Sequence, residues 1–149
     1  MVLGQTNRNY EEVKKQIIKH EGKRNQIYLD HLGNKSWGIG HLVLPSDNLQ
    51  EGVEYSDDTI MEYFERDFQQ ALSDARSFIE EESINPVAFG CVINMAFNLG
   101  INRLNTFVKL KQALEENDYV TASFEILDSK YATQVPNRAN ELAERLRDV

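Results

Sequence analysis

The stretch EGKRNQIYLDHLGNKSWGIGH, from Glu21 to His41, decides how this chain is read. Glu21 closes an apolar-periodic segment, Asp30 follows nine residues later on a β-prone run, and Ser36 comes six residues after that. Gly22, Gly33, Gly38 and Gly40 punctuate the stretch, and His41 ends it. Two acids and a hydroxyl in this order suit a proton donor, a base and a held water, the parts that two-carboxylate glycosidase chemistry requires.

Upstream of the stretch, Tyr10, Val13, Ile17 and Ile18 recur at helical spacing among Glu and Lys, which predicts an amphipathic helix over 10–20. The residues before Tyr10 read as loose. Within the stretch, Ile27-Tyr28-Leu29 and Trp37-Gly38-Ile39 flank the turn-rich HLGNKS and predict a hairpin or small three-stranded sheet. Downstream, Pro45 to Asn48 mark a loop, and Ser56 offers an N-cap ahead of acids in a first helical turn. A long helix follows from about Ser56 to Glu80, its stripe running through Ile60, Phe64, Phe68, Leu72, Ala75 and Ile79.

Asn85 and Pro86 read as N-cap and first residue of the next helix, Val87 to Leu99, which is apolar on nearly all sides and stops at Gly100. Shorter helices are expected around Thr106 to Glu115, Tyr119 to Leu127 and Asn137 to Leu146. No repeat, linker or low-complexity tract interrupts the chain.

The 149 residues suit one domain with a real core, and 41% apolar content with 9% aromatics fits a globular chain. A net charge of −8 with no clustered Lys and Arg argues against a nucleic-acid partner. Cys91 is the single cysteine, so no intrachain disulfide forms, and its setting in AFGCVINMAF favours a buried small hydrophobe. The start MVLGQTNRNYEEVKK lacks the features of a secretory leader, and no run reaches transmembrane length, so the chain is expected to accumulate where it is made, without a membrane partner.

Taken singly, Glu21 is a solvated helix-end acid and Asp30 a turn residue; their context gives them weight. Gly22, Tyr28, Gly33, Gly38, Gly40 and His41 stand at fixed spacing around both acids, and this pattern, gapless from Glu21 through His41, resembles the phage-type lysozymes of the T-even phages. The resemblance extends through FERDF around Asp67, NMAFNLG from Asn94 to Gly100, and QVPNRA from Gln134 to Ala139.

The resemblance implies an α+β, mostly α, lysozyme-like fold of two lobes in one domain over residues 1–149. A β-rich lobe would cover about 21–58, a connecting helix about 57–80, and a helical lobe about 9–20 and 80–149. It further implies a peptidoglycan hydrolase, an N-acetylmuramidase cutting the β-1,4 bond between N-acetylmuramic acid and N-acetylglucosamine with inversion. Glu21 would be the general acid, partly desolvated and protonated, while Asp30 stays ionised and, with Ser36, holds the attacking water. Ser36 stands where familiar members carry Thr, so the hydroxyl is kept without the methyl that restrains its rotamer.

Asp67 would pair with His41, Arg138 would orient Glu21, and Leu42 and Phe97 would contact substrate. No cofactor or metal is called for, and the enzyme would be a monomer held in the host cytoplasm until lysis. Leu110 and Glu125 occupy positions where related enzymes use Ser and Asn to touch the glycan or its peptide stem. Family members are also basic, whereas this chain is acidic. The alternative is a glycan-binding module of the same fold without catalysis.

Other motifs give no competing chemistry. His20-Glu21 lacks the second His of a zinc helix, since position 24 is Arg, and no glycine run continues into a phosphate loop. No GxSxG surrounds a serine, and Cys91 has no His partner in sequence.

Overall fold

Helix α1 (Glu11–Glu21) forms on the periodic apolar positions, with Glu11 and Glu12 in its first turn and Lys19 and His20 in its last, the order that suits the helix dipole. The computed structural model describes residues 10–149, so the loose segment expected before Tyr10 lies outside the described residues. Gly22, at φ 72°, ends α1 with its N–H on Ile18 O at 2.8 Å, which makes Glu21 the last helical residue.

Strands β1 (Arg24–Leu29), β2 (Lys35–Gly38) and β3 (His41–Leu42) form an antiparallel three-stranded sheet in sequence order. Tyr28 lies opposite Ser36 and Ser36 opposite Leu42, so these three form one row on one face. Trp37 pairs with His41 on the other face, fully buried, with its ring edge-on to Tyr55 and Tyr63. The strand expected to run through Ile39 stops at Gly38, because Gly38 and Gly40 at φ 65° and 64° turn the chain directly into β3.

Helix α2 (Asp57–Phe78) begins where Ser56 Oγ accepts from Thr59 N–H at 3.2 Å, and its 22 residues span about 33 Å at 1.5 Å per residue. It ends two residues before the expected Glu80, since Ile79 is already extended. It contacts β2 and β3 and packs along α3 (Pro86–Leu104), so α2 touches both the sheet and the helices.

Asn85 caps α3, accepting from Val87 N–H at 2.8 Å. The residues Ala88 to Ala96 are all buried, and Val13 of α1 packs so closely on Gly90 that a Cβ there would sit 2.8 Å from Val13 Cγ2. Gly100 breaks the helix as expected, at φ 77° and ψ 165°, but a further turn resumes and carries α3 to Leu104. Against the expectation that no run reaches transmembrane length, Pro86–Leu104 is long and apolar enough to cross a membrane by length and composition; 56% of that window is buried in the fold, as in a core helix.

Helices α4 (Val108–Glu115), α5 (Tyr119–Leu127), α6 (Lys130–Gln134) and α7 (Pro136–Arg147) complete the chain. Among the described residues this gives seven α-helices beside one small sheet, the α+β, mostly α fold expected. The short α6 was not expected; Ser129 caps it by accepting from Ala132 N–H, and Pro136 opens α7 immediately after it. Helix α7 packs on α3, α5 and α6 and carries Arg138 inward.

Candidate active site

Glu21 leaves the end of α1 toward α7, where Arg138 Nη1 donates to its Oε2 at 2.7 Å. The two residues lie 117 apart in sequence, and their side chains are 17% and 6% exposed. Arg138 is itself held: its Nε donates to Asn94 Oδ1 at 2.7 Å, and Asn94, on α3, is completely buried. On the opposite side the Glu21 carboxyl rests on Gly40, where a built Cβ would stand 2.6 Å from Oε1. Three elements therefore meet at one carboxyl group, and a Cβ at position 40 would displace the Glu21 side chain as well as strain the left-handed backbone.

Asp30 sits at the end of β1 and closes the hairpin turn with its own side chain. Its Oδ1 accepts from the backbone N–H of Leu32 and of Asn34, each at 2.9 Å, which holds one carboxylate oxygen in place. Ser36 is 7% exposed and lies in the row with Tyr28 and Leu42. Burial, then the charge of Glu21, and more weakly Asp30, push the Tyr28 phenol upward, while Arg24 and a hydrogen bond with Ser36 oppose the rise. Tyr28 thus feels the charge of both acids. Leu42 presents an exposed side chain from the same row.

His41 meets Asp67 through Nδ1 at 2.7 Å and Asp47 through Nε2 at 2.8 Å, the second contact not anticipated from the sequence. Burial would lower the imidazole's pKa, but its bonds to Asp67 and Asp47 outweigh that and raise it. Burial would raise Asp47, but the Leu44 N–H and His41 hold it below the usual carboxylate range. With both ring nitrogens facing carboxylates, the imidazolium is the form that satisfies every partner. This clamp joins β3, the loop turn at Pro45–Asp47 and α2.

Phe97 on α3 is half-buried, its ring 5.6 Å from that of Phe64. Leu110 and Glu125 come together on one hollow of about 560 Å³, with Phe107, Ser129, Lys130 and Tyr131 also on its wall. Cys91 is buried, and desolvation pushes its thiol up to about 12, so it is inert packing. Sequence reasoning missed Asn94, Asp47 and the role of Gly40. Asn94 had a signal, an amide alone among apolar residues from Val87 to Phe97; Asp47 read only as a loop residue.

The sequence model of a family described as phage lysozyme matches residues 18–146. A protein named probable T4-type lysozyme 2, from Dictyostelium discoideum, is 24% identical over 152 residues, covering 86% of this chain and 89% of the relative. Probable T4-type lysozyme 1, from the same organism, is 25% identical with the same coverage. Peptidoglycan hydrolase gp36 of Pseudomonas phage phiKMV is 27% identical over 134 residues, which are 89% of this chain but 15% of that protein.

Proposed function

The chain belongs to the phage lysozyme family, and from that premise we propose that it is a peptidoglycan hydrolase that cleaves the β-1,4 bond between N-acetylmuramic acid and N-acetylglucosamine with inversion. In this reading Glu21 gives its proton to the leaving glycosidic oxygen. Asp30 takes a proton from a water held with Ser36 on the far face of the sugar, and that water attacks the anomeric carbon. Asp30 Oδ1 accepts two turn N–H groups, which leaves Oδ2 as the oxygen to take that proton. Leu42 and Phe97 contact the glycan, and His41 with Asp67 secures the sheet that carries Asp30 and Ser36.

The observation that carries the reading is the buried Arg138–Glu21 contact. The value of Arg138 to a general acid is orientation: its contact at 2.7 Å holds one rotamer of Glu21 against Gly40. Inside a host cell the enzyme would wait for a membrane lesion before reaching the wall.

Clearing of a peptidoglycan suspension tests the reading. Wild type is expected to clear it and Glu21→Gln to leave it turbid. NMR of the first product should show the α anomer; a β anomer from the β linkage would rule out inversion. A glycan-binding module without catalysis would bind the suspension and never clear it.

A further inference from the structure

Behind Arg138 the hydrogen bonds continue. Asn94 Nδ2 lies 3.3 Å from His20 Nδ1, and His20 Nε2 lies 2.5 Å from Glu141 Oε2 on α7. The His20 side chain is 9% exposed and Glu141 28%. The direction of each bond follows from one group that can only donate. Arg138 has no acceptor, so its Nε makes Asn94 Oδ1 the acceptor and turns Nδ2 toward His20. Nδ2 lies 3.0 Å from the Gln16 side chain and brings a hydrogen to His20 Nδ1. Gln16 lies between Asn94 and the Arg145 guanidinium, both donors, so its orientation does not free Asn94 to turn over. His20 Nδ1 must then accept, which puts the ring proton on Nε2, and Nε2–H donates to Glu141.

We propose that His20 and Glu141 are positioning residues for Glu21, acting through Asn94 and Arg138 with His20 in the neutral Nε2–H tautomer. This rests on Glu21 being the general acid. The relay runs from the Glu141 carboxylate through the imidazole and the amide to the guanidinium, and holds Arg138 in the one orientation that meets Glu21. It spans α1, α3 and α7, so it locks the acid's helix to the two helices behind it. An imidazolium would set Nδ1–H against the Asn94 amide hydrogens, and an apolar residue at position 20 would leave the buried Asn94 hydrogen without an acceptor. Lys19 and Arg145 also face Glu141 and keep it ionised.

The test uses the full-length protein in two arms. Nitrogen-15 NMR of wild type at the assay pH should show His20 neutral with its proton on Nε2; a Nδ1–H tautomer or an imidazolium overturns the proposal. In the clearing assay, His20→Leu should lower kcat about tenfold with KM unchanged, a fraction of the roughly 10²-fold that a 1 Å misplacement costs. His20→Gln, which presents an amide oxygen to Asn94 and an N–H to Glu141, should recover most of that loss. An unchanged kcat in His20→Leu, or equal losses in both folded variants, also overturns it. If wild type fails to clear peptidoglycan, the functional reading fails instead, and the NMR arm still decides the relay.

Discussion

Asp47→Asn is expected to lower stability in a pH-dependent way that follows from the His41 clamp. Wild-type Asp47 Oδ2 accepts from His41 Nε2 at 2.8 Å and from Leu44 N–H at 2.6 Å, and the two side chains are 12% and 11% exposed. So little exposure leaves little room for solvent screening. A hydrogen bond to a charged group contributes about 1.5–3 kcal/mol, and the asparagine oxygen keeps part of it, so the loss is put at about 2 kcal/mol. For a chain of this size that is a fall in Tm of about 4–8 °C.

The sign works out from the two shifts. His41 has a folded pKa above its ordinary value, so its stabilisation is fully present below about pH 6.5 and is lost as pH rises through the folded value. Asp47 is lowered, so its contribution is present above about pH 4 and is lost as pH falls through its folded value. The gap between wild type and Asp47→Asn should therefore be widest between about pH 4 and 6.5. On the alkaline side a neutral imidazole donates only one N–H and leaves its other nitrogen against a carboxylate. Thermal melts followed by circular dichroism from pH 4 to 9 measure the gap; a constant difference, or one that grows with pH, would refute the clamp as described.

Gly40→Ala should place a methyl 2.6 Å from Glu21 Oε1 at a φ of 64°, lowering stability by about 1–2 kcal/mol and the clearing rate about 10²-fold. Asp30→Asn keeps an oxygen to accept from Leu32 and Asn34, so its melting temperature should stay near wild type while clearing is lost; a folded, active variant would remove Asp30 from the reaction. Gly90→Ala should cost about 1–3 kcal/mol in chemical denaturation, because Val13 Cγ2 occupies the space. Cys91, with its thiol pushed up to about 12, should resist a thiol reagent at pH 8 until guanidinium unfolds the chain.

Much of the architecture was legible because periodicity and caps are local properties. The α2 stripe, the Ser56 cap and the Asn85-Pro86 start each depend on neighbours within a turn or two, and each appears where the pattern put it. The misses have physical causes. Helix α6 has five residues, too short for a 3.6-residue period to register, and the extra turn after Gly100 depends on Leu104 being buried in the core. Asp47 looked like a turn former because its partner, His41, reaches it only once β3 and the loop are folded.

By itself the sequence determined the order of the groups: Glu21 at a helix end, Asp30 in a turn that its own side chain closes, Ser36 on the next strand. Those placements follow from backbone propensity over a few residues. Only the tertiary structure decided what surrounds Glu21, namely Arg138 from the far end of the chain, Asn94 behind it, and the bare Cα of Gly40 beneath. Contacts between residues more than a hundred positions apart leave no periodic trace, because their geometry is set by how α3 and α7 pack around the core and by the fact that a buried donor must find an acceptor.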